Sequence, residues 1–179
     1  MEGHVIWVTG LSASGKTTLA TALVTKLRET EKNVIFLDGD EIRAVLNEVD
    51  THSREDRLRL AFLYGRLCQL LSAQGACVVI ATVALFREIH EWNRQNLPNY
   101  FEIWLDVPLS ELRRRDPKKI YKRFDMGELK NIAGLDLPVD FPTKPHVTFR
   151  FIESQDIEQM VFTILRKLNL NLLRYNIDS

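Results

Sequence analysis

The chain has 179 residues, and its 24 basic and 24 acidic side chains give a formal net charge of zero. This balance argues against a nucleic-acid polymer as partner, because proteins that bind such polymers usually carry net positive charge, and two cysteines are too few for a disulfide framework. No signal-peptide pattern and no apolar stretch of the roughly 20 residues that span a bilayer are visible. We therefore expect a single cytoplasmic domain over residues 1–179, without membrane association.

Short apolar runs alternate with amphipathic segments along the chain. Buried strands are predicted at residues 5–9, 34–37, 77–83, 100–105 and 146–152. Amphipathic helices are predicted at residues 16–30, 54–73, 109–115 and 155–168. Alternating strands and helices are typical of a parallel sheet that is covered on both faces. The sequence thus predicts an α/β fold of three layers around a mostly parallel five-stranded sheet.

The alternation breaks between the helix at 109–115 and the last strand. This stretch is charged and holds Pro117, Pro138, Pro142, Gly127 and Gly134. A connection this long inside a compact domain is usually functional and often covers an active site. We therefore predict a lid over approximately residues 116–144.

A phosphate-binding loop follows the first predicted strand. The run Gly10-Leu-Ser-Ala-Ser-Gly-Lys-Thr17 fits G-x-x-x-x-G-K-[ST] without a mismatch. In such a loop backbone N–H groups cradle phosphate oxygens, the lysine reaches the β- and γ-phosphates, and the threonine hydroxyl binds Mg²⁺. A chance glycine-rich turn is the competing interpretation, but a strand precedes the loop and a helix follows it. The residues predicted to bind ATP are Gly10, Ser12, Ala13, Ser14, Gly15, Lys16, Thr17 and Thr18.

Other nucleotide-binding classes fit the sequence less well. The chain lacks the N-K-x-D segment that reads guanine in GTPases, and no G-x-G-x-x-G follows the first strand, as a dinucleotide-binding fold would require. These absences favour a P-loop kinase fold.

Two carboxylates follow the second predicted strand. Asp38 and Asp40 stand where residues of a parallel sheet face the ligand crevice, and Arg43 comes soon after them. One carboxylate could support a metal ion, and the other could orient the acceptor hydroxyl or take its proton. Arg43 could pair with an anionic substrate. The competing interpretation is an Asp-Gly turn that caps the next helix.

Three segments together carry a family resemblance. They are the loop at 10–17, the run Leu37-Asp-Gly-Asp40 with Arg43, and the run Arg115-Asp-Pro-Lys-Lys-Ile-Tyr-Lys122 with its continuation to Asp136. With these segments the chain resembles the adenylylsulfate (APS) kinase family over residues 5 to about 145. The resemblance implies a phosphotransferase that uses Mg-ATP to phosphorylate the ribose 3′-hydroxyl of APS.

The resemblance also implies roles for individual residues. Lys16 and Asp40, supported by Asp38, would be catalytic, and Thr17 and Asp38 would serve Mg²⁺. Arg115 on the lid would add to the ATP site. Because family members are often dimers, a homodimer is implied as well. The implied contacts to the acceptor nucleotide are Asp40, Arg43, His52, Arg57, Lys118, Lys122 and Ile132. A solvated, charged loop is the competing interpretation of the lid cations.

The sequence departs from the family where the acceptor base would bind. Two phenylalanines sandwich the adenine of APS in the family, but this chain has His52 and Ile132 in their places, and Leu60 in place of an asparagine. Stacking on an aromatic ring is worth about 1–3 kcal/mol per base, so these departures weaken the expectation of an adenine ring. A hydrogen bond from such an asparagine to the base would contribute roughly 1 kcal/mol to binding, and Leu60 cannot form it.

A second acceptor is suggested by the segment after the third strand. The family's F-I-S-P-Y-R loop is replaced by residues 81–88, and the run from Trp92 to Tyr100 resembles an APS-kinase-like subgroup that phosphorylates the 3′-hydroxyl of cytidine diphosphoramidate in capsule synthesis. Packing of a helix on a strand is the competing interpretation of Trp92 and Tyr100. A non-catalytic nucleotide-binding regulator is the alternative of another class, against which the intact Lys16, Thr17 and Asp40 argue.

Overall fold

The centre of the molecule is a five-stranded sheet. A computed structural model describes residues 3–47, 53–153 and 156–175, without the side chains of 169–175. The strands are His4–Thr9 (β1), Val34–Asp38 (β2), Cys77–Thr82 (β3), Tyr100–Asp106 (β4) and Val147–Arg150 (β5). Their order is β2-β3-β1-β4-β5, and every pairing among these strands is parallel. This arrangement confirms the predicted α/β fold with its five-stranded sheet.

Helices connect the strands, and they include all four predicted helical segments. They are Lys16–Leu27 (α1), Gly39–Val45 (α2), Arg54–Ser72 (α3), Arg87–Asn96 (α4), Leu109–Arg115 (α5), Ile120–Asp125 (α6) and Ile157–Tyr175 (α7). The last helix continues past the predicted end at 168. The sequence pattern did not predict α4 or the short α6 within the lid segment, and it anticipated α2 only as the helix that an Asp-Gly turn would cap. Within the described residues, no helix is long and apolar enough to cross a membrane.

Both faces of the sheet are covered, because β1, β3 and β4 carry apolar side chains on both sides. On one face α1 and α7 bury Leu19, Leu23 and Ile164 against the sheet. On the other face α3 and α4 bury Leu60 and Ile89. Strands buried on both sides read as continuous apolar runs, and this explains why they could be recognised from the sequence.

Local sequence features fix the ends of α3 and its packing. Ser53 is the N-cap, and its hydroxyl oxygen accepts a hydrogen bond from the Asp56 N–H at 3.1 Å. Near the other end, Gly75 adopts a φ of +83°, which terminates the helix before β3. Phe62 of α3 packs edge-to-face on Trp92 of α4, with the ring centroids 6.0 Å apart. Trp92 thus has the packing contact that was the competing interpretation of this residue.

Candidate active site

The predicted phosphate loop and the carboxylate pair lie at the same edge of the sheet. Thr9 at the end of β1 pairs in register with Thr82 of β3, and Asp38 at the end of β2 pairs with Ala81. The carboxyl ends of three neighbouring strands therefore open into one cleft of about 980 Å³. Such a crevice is where open parallel sheets bind ligands.

Backbone conformation shapes the loop between β1 and α1. Gly15 has a φ of +95° at the start of α1, and Ala13 has a φ of +64°. Residues 12, 13 and 15–18 line the cleft, so the loop and the first turn of α1 face it. Exposed N–H groups at the start of a helix attract anions, and the helix dipole adds to this attraction. Ser14 is buried, and its hydroxyl has no hydrogen-bond partner among the described residues.

Lys16 is the cation of this loop. Its ammonium group donates a hydrogen bond to the carbonyl oxygen of Leu11 at 2.7 Å. The pKa of Lys16 is lowered to about 7, chiefly by burial and also by the nearby cations Lys118 and Arg43, while Asp38 opposes this shift. A half-buried cation of this kind is stabilised by any anion that enters the cleft.

Asp38 joins the phosphate loop to the start of α2. One of its carboxylate oxygens accepts a hydrogen bond from the Thr17 hydroxyl at 2.7 Å, and the other accepts from the Asp40 N–H at 2.8 Å. The bond from the Asp40 N–H makes Asp38 the N-cap of α2, so Asp38 does cap the next helix, as the competing interpretation expects. The bond from the Thr17 hydroxyl is not explained by capping. It places a hydroxyl and a carboxylate side by side next to Lys16.

Asp40 projects from the first turn of α2 and joins that helix to the lid. It forms ion pairs with Arg43, three residues later on the same helix, and with Lys118 from the lid. Asp40, Arg43 and Lys118 all line the cleft. The lid segment therefore closes over the carboxylate pair and carries positive charge to it.

The lid is packed on the phosphate loop by a small apolar cluster. Tyr121 of the lid and Leu112 of the preceding helix α5 bury their side chains against Leu11 and Leu85. The Tyr121 hydroxyl donates a hydrogen bond to the carbonyl oxygen of Ser12 at 2.9 Å. Part of the lid is therefore buried, while its cations Lys118 and Lys122 remain exposed, as the competing interpretation of a solvated charged loop expects.

Asn131 and Ile132 of the lid lie at the border of the cleft. Arg57 of α3 donates from one terminal nitrogen to the carbonyl oxygen of Asn131 at 3.0 Å, and its Nε is buried without a partner among the described residues. Burial lowers the pKa of Arg57, and Arg43 acts in the same direction. Ile132, 9% exposed, lies beside this contact and lines the cleft.

Arg115 stands at the outer end of the phosphate loop. Its Nε donates to Glu111 at 2.6 Å, and its guanidinium lies 5.1 Å from the centroid of the Phe151 ring. A Cβ atom on Gly15 would lie 3.9 Å from a terminal nitrogen of Arg115. The arginine is thus held in place next to the loop on which a nucleotide phosphate would rest.

The structure brings most of the predicted site residues together and leaves a few aside. Gly10, Ser14 and Lys122 do not line the cleft, and His52 lies outside the described residues. Tyr64, whose hydroxyl donates to the Gly39 carbonyl at 3.1 Å, and the lid residue Arg123 line the cleft without having been predicted. The predicted site residues that line the cleft are Ser12, Ala13, Gly15, Lys16, Thr17, Thr18, Asp38, Asp40, Arg43, Arg57, Arg115, Lys118 and Ile132.

Comparison with known proteins assigns this cleft to a family. The family model of adenylylsulphate kinase matches residues 2–150, which include the phosphate loop, both carboxylates and the lid. The chain belongs to the adenylylsulphate kinase family. Membership confirms the prediction of a phosphotransferase with an alcohol group as acceptor.

Relatives of this family member carry two different names. A cytidine diphosphoramidate kinase of Campylobacter jejuni subsp. jejuni is 36% identical over 167 residues, which are 93% of this chain and 97% of the relative. An adenylyl-sulfate kinase of Gloeothece citriformis is also 36% identical, over 94% of this chain and 95% of the relative. The solved Mycobacterium tuberculosis APS kinase in complex with AMPPNP and APS superposes with a TM-score of 0.86 at 28% identity, covering 94% of this chain and 98% of that one.

Proposed function

We propose that this kinase transfers the γ-phosphoryl group of Mg-ATP to the ribose 3′-hydroxyl of a nucleotide 5′-derivative, with adenylylsulfate as the first acceptor. The observation that carries the proposal is the shared cleft of Lys16, Thr17, Asp38, Asp40 and the lid cation Lys118. A family relative solved with AMPPNP and APS supports the same pair of ligands. Residues 1–179 would act as one kinase domain, with 116–144 as its lid.

The donor nucleotide would be held by the phosphate loop. The N–H groups of the loop and the first turn of α1 would bind the phosphates, and the Lys16 ammonium would take up charge on the β- and γ-phosphates. Arg115, stacked on Phe151 beside Gly15, would bind at the outer end of the nucleotide. Positioning and charge stabilisation are the main sources of catalysis in phosphoryl transfer.

The Thr17 hydroxyl and the Asp38 carboxylate fit a magnesium ion. Mg²⁺ takes oxygen ligands, keeps several waters and usually needs one or two protein oxygens beside the phosphates. A Thr17–Asp38 distance of 2.7 Å provides those two oxygens. Bound there, the ion would neutralise charge on the phosphates.

The acceptor hydroxyl would be oriented by Asp40. In the structure both carboxylate oxygens of Asp40 are engaged, one by Arg43 and one by Lys118. A triphosphate in the loop would offer Lys118 a stronger anion, and Asp40 could then accept a hydrogen bond from the attacking hydroxyl. Lys118 would at the same time carry positive charge to the transferring group as the lid closes.

Cytidine diphosphoramidate is the second candidate acceptor. It is favoured by the 36% identical relative of that name and by Ile132, an aliphatic side chain in the place of an adenine-stacking phenylalanine. An aliphatic side chain packs on the face of either base, without the stacking contribution of about 1–3 kcal/mol per base that an aromatic ring supplies. The family resemblance also implies an assembly, and we propose that the protein is a homodimer. Sedimentation at micromolar protein concentration would detect the dimer.

Acceptor-dependent ADP release tests the proposal. The purified chain is mixed with Mg-ATP and either adenylylsulfate or cytidine diphosphoramidate, and the phosphorylated position is read by phosphorus NMR. We expect turnover with at least one acceptor and a 3′-phosphate product. ATP binding without acceptor-dependent ADP release would instead favour a non-catalytic regulator.

The Asp40→Asn variant tests the role of the acceptor carboxylate. We expect turnover to fall by about 100-fold or more, as for other lost general bases, because the amide cannot accept a proton. ATP affinity should change little, since Thr17 and Lys16 remain. Unchanged turnover in this variant would remove Asp40 from the proposed mechanism.

A further inference from the structure

The lid segment beside the cleft forms a compact loop that is held by its own hydrogen bonds. The N–H groups of Leu135 and Leu137 both donate to the carbonyl oxygen of Ile132, at 3.0 and 3.2 Å. The Gly134 N–H donates back to the carbonyl oxygen of Leu137 at 2.9 Å. We call residues 131–137 the lid loop. Its backbone forms a tight turn that these three hydrogen bonds close.

The Asp136 carboxylate fixes the entrance of the lid loop. One oxygen accepts a hydrogen bond from the Asn131 N–H at 2.8 Å, and the other accepts from the Ile132 N–H at 2.6 Å. Asn131 adopts a φ of +57°, a left-handed conformation that asparagine tolerates better than most residues other than glycine. Hydrogen bonds to an ionised acceptor are among the stronger ones in proteins.

The same two residues are those that the lid loop presents to the cleft. The carbonyl oxygen of Asn131 accepts from Arg57 at 3.0 Å, and the side chain of Ile132 lines the cleft. Asp136 itself is exposed and does not line the cleft. Asp136 therefore acts on the cleft through the two residues that it holds and through the attraction of its charge for Arg57.

We propose that Asp136 is a positioning residue for the acceptor: its carboxylate orients Asn131 and Ile132 so that Arg57 and the aliphatic side chain meet the acceptor nucleotide. This inference rests on the proposed kinase function, because an acceptor must bind in the cleft. According to this inference, the exposed residue Asp136 contributes to the affinity for the acceptor and does not contribute to the affinity for ATP.

The Asp136→Asn variant tests the inference by its kinetics. The amide keeps the size of the side chain and loses one of the two acceptors, so the lid loop should lose part of its order. We expect the KM for the acceptor to rise about tenfold, kcat to stay within about threefold and the KM for ATP to stay unchanged. Asp125→Asn is the matched control, because it removes the same charge from the same lid at an ion pair with Arg113 that does not line the cleft. An equal KM in the two variants would overturn the proposal.

A double-mutant cycle distinguishes positioning from a general loss of structure. If Asp136 acts through Ile132, the effect of Asp136→Asn should shrink by at least about threefold when residue 132 is already Ala. Equal effects in the wild-type and the Ile132→Ala backgrounds would contradict that route. A fall in kcat and in melting temperature, with no change specific to the acceptor, would also overturn it.

Limited proteolysis gives a result that does not need turnover. Trypsin can cleave after Lys130, which precedes the lid loop and is exposed. We expect faster cleavage there in Asp136→Asn than in the wild type or in Asp125→Asn. If neither nucleotide accepts phosphate, the proposed function fails while this comparison still tests the lid loop. Equal cleavage rates would overturn the inference even in a fully active enzyme.

Discussion

At the scale of single residues, the chemistry of the cleft depends on side chains that hold one another in place. Asp38 has both oxygens engaged, one by the Thr17 hydroxyl and one by the start of α2. Burial and two neighbouring cations act on Lys16. These environments set the charge states from which phosphoryl transfer would begin, and two predictions concern them.

Nucleotide affinity should depend on pH through Lys16. Its pKa of about 7 lies below the ordinary value for lysine, and a bound triphosphate favours the charged form and so raises that pKa. Affinity should therefore be level below pH 7 and fall as the pH rises from 7 to about 9, approaching tenfold per unit. Isothermal titration of wild type and Lys16→Met measures this slope. The variant should bind more weakly and show no such fall, and a parallel fall in both proteins would show that the lysine is not its source.

The Ile132→Phe variant should favour an adenine acceptor. A ring in this place restores a stacking surface worth about 1–3 kcal/mol per base. We expect the KM for adenylylsulfate to fall by about fivefold or more, with a smaller gain for a cytidine nucleotide because its ring is smaller. Ile132→Leu is the control that keeps the volume without the ring. A higher KM for both acceptors would indicate that the cleft cannot hold the ring, and the proposed stacking place would be wrong.

At the scale of elements, the lid is joined to the phosphate loop by packing and by charge. The cluster around Leu112 and Tyr121 anchors it on Leu11 and Leu85, and the Lys118–Asp40 ion pair joins its tip to α2. Gly134 has a φ of +81°, and a Cβ atom there would lie 2.9 Å from both methyl carbons of Leu11. The close approach of the lid to the loop therefore depends on a glycine at this position.

Gly134→Ala should loosen the lid. The substitution costs about 1–2 kcal/mol for the left-handed backbone, and the added methyl group pushes Leu11 away. Gly127→Ala is the matched control, since Gly127 has a φ of +74° and a methyl group added there would meet nothing within 4 Å. Hydrogen exchange over residues 116–144 should be faster in Gly134→Ala than in Gly127→Ala. Equal exchange in the two variants would mean that the contact with Leu11 contributes nothing.

At the scale of the whole molecule, stability depends on a charged side chain that is buried in the strand β4. Glu102 of β4 is fully buried, and its carboxylate accepts from Arg94 on α4 and from the Tyr100 hydroxyl at 3.0 Å. The ion pair therefore joins α4 to the centre of the fold. A buried carboxylate is tolerated when its partners are in place and is costly when one of them is removed.

Arg94→Ala should lower the free energy of unfolding by about 3–5 kcal/mol, because it leaves the Glu102 charge buried without its cation. Urea denaturation measures this change. Lys26→Ala is the control, since Lys26 forms an ion pair with Glu29 at the surface, and such pairs contribute about 0–1 kcal/mol. Similar losses in the two variants would show that the buried pair has no special weight in stability.

The sequence by itself determined the sheet, the phosphate loop and the family. The strands are apolar because both faces are buried, and the loop needs glycine, lysine and threonine at fixed spacings, so both leave a local signal. The helix at 120–125 left none, since six residues of mixed charge are too few for a clear period and its order depends on burying Tyr121. The family resemblance had implied Lys118 and Arg57 as site residues, but only the tertiary structure decided which side chains and carbonyl groups they contact. Lys118 meets Asp40, and Arg57 meets Asn131, across 78 and 74 residues of chain. Such contacts form only when the strands bring their carboxyl ends together and the lid packs over them.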